Sequence, residues 1–131
     1  MGACYYVNLK VKLKDEKGAI LALNEHIKND KRTNYSLEKY AEQGVTTETF
    51  DDLMRIFLAG WKGQKVEITE EKDGFTTYKN NFDASYGWES VMIEMFETLA
   101  PYLEDDSAFL IYPDSDYDKL VVQNGKFVQV H

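Results

Sequence analysis

Residues 5–14 read Tyr-Tyr-Val-Asn-Leu-Lys-Val-Lys-Leu-Lys. Tyr5, Val7, Leu9, Val11 and Leu13 alternate with Tyr6, Asn8, Lys10, Lys12 and Lys14. Side chains leave a strand on opposite faces with period two, so this decapeptide is a strand with one face in a core and the other in water. One wet face is the mark of an antiparallel sheet. Helices are therefore expected to cover the other face.

Downstream, the period changes. Asp15 caps a helix that carries Ile20, Leu23 and Ile27 on one stripe and ends near Asn29. Residues 29–45 have no single pattern, although Ser36 to Gln43 suit a short helix that Gly44 stops. Thr46–Ala59 reads as a helix with Thr49 and Asp52 in a capping-box-like start, Asp51 near the positive end of the dipole, and Gly60 as the residue that ends it. Lys65–Glu71 and Phe75–Phe82 flank Asp73-Gly74 and form a hairpin. In Ser85 to Ala100, Trp88, Val91, Met92, Met95, Phe96 and Leu99 share one helical face, and Pro101 ends it. Ala108–Tyr112, Tyr117–Gln123 and Lys126–Val130 are short strands, the last two joined by Asn124-Gly125. This order predicts a single α+β domain over residues 1–131. Its antiparallel sheet follows the ferredoxin-like, split βαβ order with an added C-terminal β-hairpin, and helices pack on one face.

Charge is unevenly spread. Residues 1–66 carry 11 Lys/Arg and 9 Asp/Glu, whereas residues 67–131 carry 4 Lys and 14 Asp/Glu, for a net −8. Phosphate backbones repel such a chain, which counts against nucleic-acid binding. No apolar run approaches the roughly 20 residues of a membrane helix. The start lacks a basic segment followed by an apolar one, and a single cysteine, Cys4, precludes an internal disulfide. The expected compartment is the cytoplasm.

Motifs with chemistry are few. Asp114, Asp116 and Asp118 alternate as calcium ligands do, but the loop template puts Lys119 where glycine belongs and Gly125 where a bidentate glutamate belongs. They read as an acidic turn begun by Pro113, and no metal or other cofactor is expected. Glu104, Asp105 and Asp106 form a second acidic run. Trp61 sits in a Gly60–Gly63 loop where no periodicity requires burial, which makes it the best candidate for an exposed aromatic. His26 and His131 have no nucleophile signature beside them, and no phosphate-binding or nucleophile-elbow motif is present. The Lys10, Lys12 and Lys14 ladder, with Tyr6 alongside, has the ingredients of a single-strand platform. It lacks the RNA-binding strand signature, and lysines on a strand also blunt an edge or complement acidic neighbours.

The expectation is a small acidic module without catalysis. Glu104, Asp105, Asp106, Asp114, Asp116, Asp118 and Trp61 would engage a basic protein partner, in the manner of an inhibitor or immunity protein, or the chain would self-associate. The alternative is a ligand-binding protein or enzyme with its pocket between sheet and helices. The acidic-turn reading predicts that millimolar Ca²⁺ leaves the melting temperature unchanged. A rise abolished by Asp116→Ala would mark a bound ion instead.

Overall fold

In the computed structural model, which describes residues 2–60, 65–85, 87–113 and 118–130, the opening alternation is a ten-residue strand, β1 (Gly2–Val11). Tyr5, Val7, Leu9 and Val11 are buried, and Cys4, Tyr6, Asn8 and Lys10 face the other way. The strand stops before Lys12, and only an isolated bridge between Leu13 and Leu103 continues it. The helices follow: α1 (Glu16–Lys28), α2 (Lys31–Asn34), α3 (Leu37–Glu42) and α4 (Phe50–Phe57). After them come β2 (Glu67–Glu70), β3 (Thr76–Ser85), α5 (Trp88–Leu99), a 3₁₀ turn over Ala100–Tyr102, β4 (Ala108–Pro113), β5 (Asp118–Gln123) and β6 (Lys126–Val130).

The class is α+β, with one six-stranded antiparallel sheet in the order β2-β3-β1-β4-β5-β6. Four helices separate β1 from β2, where a split βαβ unit has one. Among the described residues no helix is long and apolar enough to cross a membrane.

Local chemistry sets most boundaries. The Asp15 carboxylate accepts the Gly18 N–H at 3.0 Å and starts α1. The Thr49 hydroxyl accepts the Asp52 N–H at 3.2 Å and starts α4. Asn124 and Gly125, at φ 54° and 76°, form the primed turn between β5 and β6, a conformation that glycine and asparagine adopt at least cost. In α1 the buried stripe is Ala19, Leu23 and Ile27, with Ile20 at its margin. Phe96 of α5 packs on Phe109 and Phe127, ring centroids 5.7 and 6.2 Å away, and so seats the helix over β4–β6.

The helical layer is tied to the sheet at the C-terminal end of α4. A helix leaves its last carbonyls without intrahelical partners, and here each finds a donor. Gly60 N–H reaches the Arg55 carbonyl, and Ala59 rather than Gly60 takes the left-handed conformation at φ 56°. The Tyr40 hydroxyl donates to Ile56 at 3.4 Å and Trp88 Nε1 to Phe57 at 2.9 Å. Buried Asn80 donates from Nδ2 to Leu58 at 2.7 Å and to Ala59 at 3.3 Å. Tyr78, one turn of the pleat away, donates to Asp51 at 2.6 Å near the start of the same helix. Asn80→Leu, which keeps the number and branching of the side-chain heavy atoms and removes the donor, should lower stability by about 2 kcal/mol because the Leu58 and Ala59 carbonyls lose their partner. Urea unfolding would measure it, and an unchanged midpoint at unchanged slope would refute this role.

Candidate interaction surface

Among the described residues, the acidic residues singled out in the sequence lie in two separate places. Glu104–Asp106 lies between the 3₁₀ turn and β4, against the end of β5, with Asp106 N–H on the Val122 carbonyl. The β4–β5 register sets Asp118 opposite Ile111, at the far end of the same strand. Asp105 accepts the Asn124 N–H at 2.8 Å, and Asp106 accepts from the Gln123 side chain at 3.1 Å. Both carboxylates thus brace the β5–β6 turn, and the Glu104 N–H bonds the Lys12 carbonyl. Asp114, Asp116 and Trp61 lie outside the described residues.

The lysine ladder has a different place from an edge. β1 is central, flanked by β3 and β4, so edge protection does not explain Lys10 and Lys12. Lys10 pairs with Asp73 at 3.3 Å, and the ammonium groups of Lys10 and Lys12 lie 5.0 and 6.0 Å from the Phe75 ring centre. Part of the charge split is neutralised within the fold.

Opposite the helices, no described element covers the sheet. Tyr6 of β1 and Tyr112 of β4 are cross-strand partners there, with ring centroids 5.6 Å apart and exposures of 38% and 40%. Their row is followed by Lys79, Asn8, Leu110 and Lys119, then by Thr77, Lys10, Ala108, Val121 and Val128, the last 51% exposed. Beside Tyr6 is a shallow depression lined by Lys65, Glu67, Lys79, Asn80 and Asn81. Tyr112 was hidden in the sequence because Ala108–Tyr112 is apolar on both faces, so alternation there cannot tell inside from outside.

A second cluster joins α1, α2 and α5. Arg32 donates from Nε and Nη2 to the two Asp30 oxygens at 3.0 and 2.8 Å, from Nη2 to Glu94 at 2.8 Å, and from Nη1 to Ser90 at 2.9 Å. His26 turns a buried Nε2 toward Asp30, 3.7 Å away, with no hydrogen-bond partner. His26, Asp30 and Glu94 offer ligand atoms within 4.8 Å of one another, but the guanidinium already supplies the positive charge between the carboxylates. Its own ionisation is pushed further up by those two bonds. This is a clamp between helices, assembled from the stretch with no clear sequence pattern.

A small cleft of about 210 Å³ is lined by Tyr35, Ser36, Tyr40, Asp83, Ser85 and Trp88 among others. Ligand pockets are commonly about 300–1,000 Å³. Burial raises the Tyr40 hydroxyl well above its ordinary range, and that hydroxyl bonds a carbonyl.

The Arg32 hydrogen bonds hold Asp30 below the ordinary carboxylate value of 3.8, against the opposing effect of burial. A lowered carboxylate contributes stability in full above that value and loses it as pH falls below it. Arg32→Ala should therefore cost about 1 kcal/mol at pH 7, since Arg32 and Glu94 are each 44% exposed and solvent screens the pair. The gap between variant and wild type in urea unfolding should narrow as pH falls below 3.8. A gap constant down to the acid transition would exclude the ion pair as its source. No family model, curated protein or solved structure matches the chain.

Proposed function

We propose that this chain is a non-catalytic binding module that engages a protein partner through its uncovered sheet face. The observation that carries the reading is the Tyr6–Tyr112 pair, half-exposed on the two middle strands of that face. Tyrosines surrounded by apolar side chains and a charged rim are the composition of protein interfaces, where a few aromatic anchors supply most of the affinity. Leu110 lies in the row next to the tyrosines together with Glu67, Lys79 and Lys119, and Ala108, Val121 and Val128 lie in the row beyond.

The acidic residues first expected to meet a basic partner support that role less well. Asp105 and Asp106 are engaged in a turn, and Asp118 stands at the other end of its hairpin. The described residues lend the catalytic alternative less support. The His26 Nε2 has no hydroxyl or thiol bonded to it, and the cleft beside Tyr40 is small for a substrate.

Lysine acetylation footprinting in cell extract tests the reading. Lys79 and Lys119 should be protected roughly fivefold relative to the purified chain at low concentration, while Lys17 and Lys28 of α1 react equally in both. Added salt should relieve the protection only weakly, because an apolar interface is not screened as separated charges are. Protection confined to α1 and α2 would overturn the proposal.

A further inference from the structure

We infer that the occupant of the uncovered sheet face is a second copy of this chain, packed face to face about a twofold axis. The inference rests on the proposed role of that face and names its partner.

Electrostatics selects the face. The chain carries −8 in total, so two copies repel wherever their carboxylates dominate. Among the described residues, the uncovered side holds Lys10, Lys12, Lys65, Lys79, Lys119 and Lys126 against Glu67, Glu71, Asp73 and Asp83. It is close to neutral, and most of the excess acid points away on the helical side and loops. Two copies therefore meet at least cost through this surface.

The arrangement of the face is also self-complementary. Its carboxylates are on the β2–β3 half, while Lys119 and Lys126 are on the β5–β6 half. A twofold axis parallel to the strands, between β1 and β4, lays β2 over β6, β3 over β5 and β1 over β4 of the other copy. Tyr6 then lies over the partner subunit's Tyr112, and Glu71, one row past Thr69, lies over the partner subunit's Lys126, one row past Val128; Lys79 comes over the partner subunit's Lys119, a like-charge contact that keeps the affinity modest. Such a contact is isologous and closes on itself, so it stops at two copies. Six strands about 4.8 Å apart and six residues of about 3.4 Å make a face of roughly 600 Å². A standard interface buries about 800 Å² per partner, so the face suits a dimer of modest affinity.

Sedimentation equilibrium on the full chain, from about 1 to 300 µM, is the test. Wild type should reach twice the chain mass. The Tyr6→Ala, Tyr112→Ala double variant should raise the dissociation constant at least about tenfold, with its circular dichroism unchanged. Glu71→Lys and Lys126→Glu are exposed-rim changes that leave the core intact; each alone should weaken the dimer, and mixing the two variant chains should restore it as a heterodimer. A short bismaleimide should join two copies through Cys4, which lies exposed on the same face.

A wild type that stays monomeric at 300 µM overturns the second-copy inference. Footprint protection of Lys79 and Lys119 in extract would then leave the binding-module reading standing, with another protein as occupant. A dimer that survives the tyrosine and both charge variants overturns the face-to-face geometry.

Discussion

The C-terminal end of α4 is the constraint on which the rest of the structure depends. Its carbonyls point into a buried region where water cannot serve them, and an unpaired buried carbonyl costs free energy comparable to a lost hydrogen bond. Three elements supply the donors: Tyr40 from α3, Trp88 from α5 and Asn80 from β3. Because each donor must stand at one distance and angle, the junction fixes where α3, α4 and α5 sit relative to the middle of the sheet. Apolar burial around Leu53, Phe57, Met92 and Phe96 drives collapse, but it is non-directional. The polar contacts choose among the packings that collapse would allow.

That junction has a consequence for the opposite side. With every helix committed to one face, the other face of a six-stranded sheet is left to water, and its middle strands carry Tyr6 and Tyr112. The edges differ in kind from the middle. Short β2 carries Glu67 and Glu70, charges that discourage pairing at the sheet edge. The uncovered face is thus better suited to contact than that edge, and its mixed charges give orientation without strong long-range attraction.

Folding also redistributes the charge. An acidic second half meets a basic first strand because β1 lies between β3 and β4, so Lys10 finds Asp73. Asp105 and Asp106 are spent on the β5–β6 turn, and Asp30 and Glu94 on Arg32. Surface carboxylates in a sequence are counted easily, but whether each is free for a partner depends on donors far along the chain.

The elements themselves were legible from residue order. Caps at Asp15 and Thr49, the primed turn at Asn124-Gly125, the stripe from Val91 to Leu99 and the alternation of β1 all rest on interactions spanning about four residues or on a repeat that secondary structure imposes. The candidate surface was only half legible. Tyr6 followed from alternation, whereas Tyr112 sits in a run apolar on both faces and Arg32 in a stretch with no period. Their meaning came from contacts between residues far apart: Tyr6 with Tyr112, and Arg32 with Glu94, 62 positions away. Short-range chemistry is written in the order of residues. Which strands become neighbours, which carbonyls need a distant donor and which face stays wet are settled only when the whole chain closes on its core, because those contacts lower the free energy together or not at all.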